Sequence, residues 1–237
     1  MKEAEKINEV IPKVKKLKPK VYAASNARLR EFTWKSFLIH YGINYDKGFI
    51  LDQDSVKNIK PLFNYFMQHP SFFECEALSK EYNEPSFEKG LLLIGNYGNG
   101  KTSIMTALNS VFVRWNYSCR FKIVNSQDMV AEWETLKGQT EKQNFYDKYL
   151  CKVLMIDDVK KERKASNYGI SEVVGDILTM RYNKRLKTHI TCNYPPGDKS
   201  QDLRNGLLEF SRYGEHYYDR LFEQFNIIEF KGKSKRN

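Results

Sequence analysis

The chain has 237 residues, 41% of them hydrophobic and 14% aromatic, which is enough for one packed α/β domain of about 150 residues and a smaller attached segment. Its formal net charge of +10 favours a polyanionic partner, with a merely solvated basic surface as the equal alternative. The four cysteines are scattered and form no C-x-x-C pair, which argues against a zinc site and a disulfide framework. No apolar run reaches about 18 residues, which argues against a membrane-spanning helix. Together these features predict a cytoplasmic protein.

Residues 1–86 are predicted to form a mainly helical N-terminal segment with a basic arm. Residues 1–20 are rich in Lys and Glu, which is typical of an extended or loosely helical arm. This arm is either a solvated tail or a contact for nucleic acid or a protein partner. Apolar residues at helical spacing predict one helix from Ser25 to Tyr41 and a second from Ser55 to Gln68, which Pro61 starts or kinks.

A glycine-rich motif follows the first strand of the main domain, which we place at residues 87–237. Leu91–Ile94 form an unbroken apolar run, as expected for a strand covered on both faces. Gly95 and, after an interval of four residues, Gly100–Thr102 match the phosphate-binding pattern G-x-x-x-x-G-K-[ST]. The helix predicted from Ser103 to Trp115 points its positive N-terminal end at the same place.

Each part of this motif has a role in binding ATP and Mg²⁺, which we predict as cofactors. Glycines let backbone N–H groups converge on phosphate oxygens, the Lys101 ammonium reaches the β and γ phosphates, and the Thr102 hydroxyl reaches Mg²⁺. The predicted nucleotide-binding residues are Gly95, Asn96, Tyr97, Gly98, Asn99, Gly100, Lys101, Thr102 and Ser103.

A second strand and helix separate the loop from an acidic strand end. Phe121–Val124 is predicted as a strand, and Ser126 as the N-cap of a helix from Gln127 to Leu136. The polar stretch Gly138–Asn144 is predicted as a loop. The run Cys151–Asp158 is then predicted as an apolar strand that ends in two carboxylates.

These two carboxylates, Asp157 and Asp158, are predicted to act on bound ATP. Downstream of a phosphate loop, Mg²⁺ needs a hard oxygen ligand at this place, so we assign Asp157 to the metal together with Thr102. Asp158 is then placed to polarise the attacking water as the general base. A simple cap of the strand end is the alternative for Asp158.

Four basic residues follow the acidic pair directly. Contact with DNA phosphates and a merely solvated loop are the two open interpretations of Lys160, Lys161, Arg163 and Lys164. The next element is predicted as an amphipathic helix from Ile170 to Tyr182 that buries Ile170.

The chain closes with two more strands. Thr188–Asn193 is predicted to end at the carboxyl edge of the sheet, where ligands bind in open α/β folds, so Asn193 is a candidate to orient the water or sense the γ-phosphate. The alternative is a plain strand terminus. A helix from Glu215 to Phe225, the strand Ile227–Phe230 and the basic tail Lys231–Arg236 follow.

The order of these motifs resembles that of AAA+ ATPases, and more closely the DnaC/DnaI-type helicase loaders and related IstB-type transposition ATPases. The resemblance covers residues 87–237 and implies a five-stranded parallel sheet in the order 5-1-4-3-2 without a C-terminal lid. The matching pieces are Gly90–Gly95, Gly98–Thr102, Ile156–Asp158, Arg181–Tyr182, Ile190–Asn193, Asp219–Leu221 and Gly232–Arg236.

The resemblance also implies roles for two arginines. Arg220 matches an arginine that reaches the nucleotide of the neighbouring subunit, which implies a homo-oligomer with shared active sites. A surface salt bridge with Asp219 or Glu223 is the alternative. Arg236 matches the arginine of a terminal G-x-S-x-R pattern and is expected to approach the phosphates.

The leading functional hypothesis is an ATPase that loads a replicative helicase onto single-stranded DNA, with residues 1–86 gripping the helicase. The second hypothesis keeps the ATPase and makes the partner a transposase during target-site selection. The third is a binding switch that holds ATP with little turnover, and a P-loop kinase is a weaker fourth.

Overall fold

A five-stranded parallel sheet with helices against both faces organises the computed structural model, which describes residues 27–46, 48–167, 169–197 and 201–235. The helices are α1 (Ala27–Tyr45), α2 (Gln53–Phe66), α3 (Lys101–Arg114), α4 (Ser126–Thr135), α5 (Gln139–Tyr149), α6 (Val173–Asn183), α7 (Leu203–Leu208) and α8 (Glu215–Gln224). The strands are β1 (Gly90–Gly95), β2 (Lys122–Asn125), β3 (Leu154–Val159), β4 (Ala165–Ser166), β5 (Ile170–Ser171), β6 (Thr188–Cys192) and β7 (Phe225–Phe230). Short 3₁₀ helices lie at Pro70–Glu74 and Glu209–Tyr213.

The sheet order confirms the predicted topology. Its strands run β2-β3-β6-β1-β7, and every neighbouring pair is parallel. If β1, β2, β3, β6 and β7 are numbered 1 to 5, the sheet read from β7 has the predicted order 5-1-4-3-2. Strand β6, which Asn193 follows, thus lies between β1, which precedes the loop with Lys101, and β3, which contains Asp157. This places the carboxyl ends of β1, β3 and β6 side by side.

Alternate side chains of β1 build the cores on the two faces of the sheet. Leu91 and Leu93 pack on the face covered by α1, α2 and α3, and Leu92 and Ile94 pack on the other face with residues of α4, α5, α6 and α8. All four are fully buried. Phe37 of α1 belongs to the first cluster, so the described part of residues 1–86 packs directly against the five-stranded sheet.

Helix α5 corrects the prediction of a loop at Gly138–Asn144. Residues 139–149 form a helix although their sequence is mostly polar. Phe145 and Tyr149, one turn apart, are its two buried residues, and they are enough to hold it against the core. A single pair of aromatic residues gives too weak a periodic signal to predict this helix from sequence.

The predicted helix from Ile170 to Tyr182 begins later than expected. Ile170 lies in β5, which pairs with β4 in a small antiparallel hairpin, and it is 78% exposed rather than buried. The helix itself starts at Val173 and buries Val173, Val174, Ile177 and Leu178. The prediction joined the hairpin strand to the helix because an isoleucine at helical spacing fits either element.

Smaller differences concern boundaries. Asn125, not Ser126, caps α4, because its side chain accepts a hydrogen bond from the Gln127 N–H. Pro61 lies inside α2 without ending it. Strand β3 continues through Asp158 to Val159, so the carboxylates are within the strand rather than at its end. In the part of the chain that the structure describes, no helix is long and apolar enough to cross a membrane.

Candidate nucleotide-binding site

The loop between β1 and α3 has the backbone shape that the glycines predict. Gly98 and Gly100 adopt left-handed φ angles of 76° and 96°, which side-chain-bearing residues adopt at a cost. A Cβ on Gly95 would overlap the backbone of Phe230 in the neighbouring strand. Helix α3 begins at Lys101, so its N-terminal N–H groups face the concave side of the loop.

Lys101 lies in the middle of this cradle. Its Nζ lies within 3.1 Å of four oxygen acceptors: the carbonyls of Gly95 and Asn96 and the side chains of Asn99 and Asn193. Burial lowers the pKa of the Lys101 ammonium to about 8. A phosphate group at this place would favour the charged form and compete with neutral oxygens for its protons.

Thr102 and Asp157 present the oxygen atoms that Mg²⁺ prefers. The Thr102 hydroxyl donates to Asp157 Oδ1 at 2.8 Å, and Thr191 of β6 donates to the same oxygen at 2.5 Å. Among the described residues, no group of three or more His, Cys, Asp or Glu side chains is placed to hold a metal. Mg²⁺ commonly takes one or two protein oxygens and completes its shell with phosphate and water, so this pair fits the ion.

Asp158 lies next to Asp157 on an irregular part of β3. The pairing of β3 with β6 shifts between Ile156 and Val159, and Asp158 has a left-handed φ of 56°. Such a conformation is costly for a residue with a side chain and is commonly kept at functional sites. The bulge turns the Asp158 side chain into the cavity, where Asn193 Nδ2 donates to its Oδ1 at 3.1 Å. Asn193 therefore connects Asp158 with Lys101.

An aromatic wall closes the other side of the cavity, whose volume is about 270 Å³. This wall is formed by Tyr41 and Tyr45 of α1, Phe49 and Ile50 after it, and Tyr97 of the loop. Its apolar surface beside a phosphate cradle is suited to a flat heterocyclic base. Tyr97 was among the predicted nucleotide-binding residues, but sequence reasoning missed the four others because it assigned the N-terminal segment to partner binding alone.

The residues after β7 return to the loop. The Lys235 N–H donates to the Gly98 carbonyl at 2.9 Å, and the Lys235 ammonium lies 2.6 Å from a carboxylate oxygen of Asp52 at the start of α2. The hydrogen bond from Lys235, followed by that from the Ser55 N–H, lowers the pKa of Asp52 to about 2. This segment connects the phosphate loop with α2. Arg236, predicted to approach the phosphates, lies outside the described residues.

The basic cluster after Asp158 is mostly engaged within the protein. The Lys160 side chain is only 5% exposed, and its Nζ donates to the carbonyls of Asn193 and Gly206 and to Glu209. The prediction that Lys160 contacts DNA is therefore wrong, because a buried and paired ammonium cannot reach a phosphate backbone. Lys161 lines the nucleotide cavity instead of the outer surface.

Two members of the cluster stay on the surface. Arg163 and Lys164 are 62% and 61% exposed and pair with Glu134 and Glu172. Paired surface charges of this kind are open to an external phosphate, since an exposed ion pair is weak in water. A contact between DNA and these two residues stays a prediction.

Arg220 lies on α8 and is not among the residues that line the cavity of its own chain. Its guanidinium carbon lies 5.1 Å from the centre of the Tyr182 ring, and the Tyr182 hydroxyl donates to Glu223. Among the described residues, no carboxylate oxygen of Asp219 or Glu223 is within the 4.0 Å of Arg220 that defines an ion pair. The salt bridge considered as an alternative is thus not found, and the role toward a neighbouring subunit stays a prediction.

The sequence of the chain was compared with those of known protein families. The sequence profile described as IstB-like ATP binding protein matches residues 85–237. The chain belongs to this family. The matched range contains all strands of the sheet, the phosphate loop and both aspartates, so the IstB-like region includes the predicted catalytic groups. The part of the aromatic wall that comes from α1 lies before it.

The chain is also similar to a protein of known role. Replicative helicase loader DnaI of Bacillus subtilis (strain 168) is 32% identical to the chain over 120 residues. That alignment covers 50% of this chain and 38% of DnaI. The similarity therefore concerns little more than a third of that relative's length.

Solved structures share the fold of the IstB-like protein. The crystal structure of the DnaC helicase loader matches with a TM-score of 0.53 at 21% identity, covering 85% of this chain and 99% of that chain. The crystal structure of DnaI matches with a TM-score of 0.51 at 21% identity, covering 81% and 89%. The fold is that of an AAA+ P-loop ATPase, as the resemblance implied.

Proposed function

We propose that this IstB-like protein is an ATP-dependent loader of a replicative helicase onto single-stranded DNA. The 32% identity to a replicative helicase loader carries the choice of partner. The linked groups Lys101, Thr102, Asp157, Asp158 and Asn193 support ATP hydrolysis as the driving reaction. Residues 1–86 are the proposed partner-binding segment, and the protein acts as a homo-oligomer.

The proposed reaction assigns one task to each side chain. The Thr102 hydroxyl and the Asp157 carboxylate would hold Mg²⁺, which would supply positive charge to the phosphates when bound. Lys101 holds the phosphates in line, and Asp158 takes a proton from the attacking water. Asn193 is hydrogen-bonded to Asp158 and to Lys101, and so fixes the position of the base relative to the ammonium that binds phosphate.

Replacing Lys101 with Ala is expected to weaken ATP binding about 10- to 100-fold, because a hydrogen bond to a charged group is worth about 1.5–3 kcal/mol. Isothermal titration calorimetry with Mg-ATP measures this directly. The matched control is Lys148→Ala, which should leave ATP affinity unchanged. This variant removes an ammonium of α5 that pairs with Glu132 of α4, outside the cavity. Equal affinities for Lys101→Ala and the unaltered chain would refute the phosphate-loop assignment.

The partner is tested by capture from a host lysate with ATP-loaded Asp158→Asn as bait, since this variant is expected to bind ATP without releasing it by hydrolysis. Mass spectrometry should identify a hexameric replicative helicase, and the Lys101→Ala bait should capture less of it. Capture of a transposase would instead support the second hypothesis, an IstB-type ATPase that assists in target-site selection. Recovery of neither class of protein would contradict the loader proposal.

Contact with single-stranded DNA is the least supported part of this proposal. The net charge of +10 is consistent with a phosphate backbone as partner. Lys160 is unavailable for that contact, so Arg163 and Lys164 are the remaining candidates in the predicted cluster.

A further inference from the structure

Lys161 is a second lysine in the cavity that contains Lys101. Its Nζ lies 2.7 Å from Asp158 Oδ2 and 4.5 Å from the centre of the Tyr97 ring, which belongs to the phosphate loop. The Lys161 side chain is 27% exposed, so its ammonium retains access to water and room to move. Lys161 therefore spans the distance between the proposed base and the loop that is expected to hold phosphates.

The backbone after Asp158 directs Lys161 back into the cavity. Asp158 and Lys160 both have left-handed φ angles, 56° and 77°, and the Lys161 N–H donates to the Asp158 carbonyl at 3.3 Å. The buried Lys160 side chain fixes this turn by its bonds to the carbonyls of Asn193 and Gly206. The surrounding contacts thus maintain a backbone conformation that costs free energy at two positive-φ residues, which are separated by Val159.

The two lysines lie at different ends of the phosphate path. Lys101 is bonded to the loop carbonyls of Gly95 and Asn96, where the β-phosphate of a bound nucleotide is expected. Lys161 is beside Asp158, on the side where the attacking water must approach the γ-phosphate. A terminal phosphoryl group of a triphosphate that extends from the loop toward Asp158 would lie near both ammonium groups, whereas a diphosphate would lack the group nearest to Lys161.

A γ-phosphate also competes well for the Lys161 ammonium. It carries more negative charge and more acceptor oxygens than the single Asp158 carboxylate. The exchange is local, since both partners of Lys161 lie in the same cavity.

We propose that Lys161 leaves Asp158 and binds the γ-phosphate when a nucleoside triphosphate occupies the site, so that the protein distinguishes ATP from ADP. The proposal rests on ATP binding at this loop, the function proposed above. With ADP, Lys161 stays paired with Asp158. With ATP, the Asp158 carboxylate loses its cation and is left to accept the proton of the attacking water. Lys161 thereby links recognition of the third phosphate to release of the base.

The test compares two nucleotides on the full-length protein by isothermal titration calorimetry in the presence of Mg²⁺. For Lys161→Ala, the affinity for the non-hydrolysable triphosphate AMP-PNP should fall about tenfold, the factor that about 1.4 kcal/mol represents, while ADP affinity changes less than about twofold. Lys161→Arg keeps a cation of similar reach and should retain most of the preference for AMP-PNP. Lys148→Ala removes an equally paired lysine outside the cavity and should change neither affinity.

The outcomes separate this proposal from the one on which it rests. If the unaltered protein binds neither nucleotide, ATP binding and the role of Lys161 both fail. If it binds both nucleotides and Lys161→Ala leaves the ratio of affinities unchanged, or weakens ADP as much as AMP-PNP, only the role of Lys161 is overturned. A selective loss with AMP-PNP that Arg restores supports the proposal.

Discussion

Replacing Asp158 with Asn is expected to lower the rate of ATP hydrolysis by about 10²- to 10⁴-fold, the usual contribution of a general base. The amide has the size of the carboxylate and can still accept the hydrogen bond from Asn193. It cannot take a proton from water. Nucleotide binding should persist, since Asp158 is not among the groups that cradle the phosphates. The expected signature is a large fall in kcat with near-normal affinity for Mg-ATP.

Two controls decide what the Asp158→Asn result means. Asp147→Asn removes an exposed carboxylate on α5, bonded to Gln143, and should leave turnover unchanged. The unaltered chain must itself turn over ATP at a measurable rate. If it binds ATP tightly and does not hydrolyse it, the binding-switch hypothesis replaces the ATPase, and Asp158 is not a base. If Asp158→Asn hydrolyses ATP normally, Asp158 acts as a structural residue of the β3 bulge.

The phosphate-binding part of the site was predictable because the residues that form it are close together in the sequence. The loop between Gly95 and Thr102 needs particular residues at a fixed spacing, and the preceding apolar strand fixes where it lies. Asp157 was placed by the need of Mg²⁺ for a hard oxygen ligand downstream of such a loop, and Asn193 by the rule that ligands bind at the carboxyl edge of open α/β sheets. The observed hydrogen bonds between these elements follow from that rule.

The residues that were missed depend on contacts between distant parts of the chain. Lys160 and Lys161 are adjacent and chemically alike, yet one is buried against Glu209 and the other faces the nucleotide cavity. Two positive φ angles decide this difference, and no local pattern predicts a positive φ at Asp158 or Lys160. Thr191 was also missed, because its bond to Asp157 depends on the register of β3 against β6.

The aromatic wall shows the same limit in another way. Tyr41 and Phe49 read as ordinary core residues of an N-terminal helix and its following turn. They reach the cavity because α1 packs along α3, where Tyr41 donates to the Ser103 hydroxyl at 3.5 Å. Helix amphipathicity predicts that a face is buried and does not specify which surface covers it.

Replacing Arg220 with Ala is expected to reduce hydrolysis by about 10³- to 10⁵-fold if its guanidinium stabilises the transferring phosphoryl group of a neighbouring subunit. The side chain is partly exposed on α8 and held over the Tyr182 ring rather than in an ion pair with Asp219 or Glu223, so it is available to a second chain. Arg204→Ala removes another surface arginine, on α7, and should have no such effect. Turnover per subunit should also rise with protein concentration in the unaltered chain.

A mixing experiment distinguishes a shared site from a loss within one subunit. Arg220→Ala keeps its phosphate loop and lacks the arginine, whereas Lys101→Ala keeps the arginine and lacks the phosphate cation. Each variant alone should be inactive. In a mixed assembly, a Lys101→Ala subunit can supply its Arg220 to the nucleotide that is bound by a neighbouring Arg220→Ala subunit. That interface then contains one complete site, so the mixture should recover a measurable fraction of the turnover. A mixture that stays inactive while both variants still assemble would place the action of Arg220 within its own chain, since complementation requires only that the two groups come from different subunits.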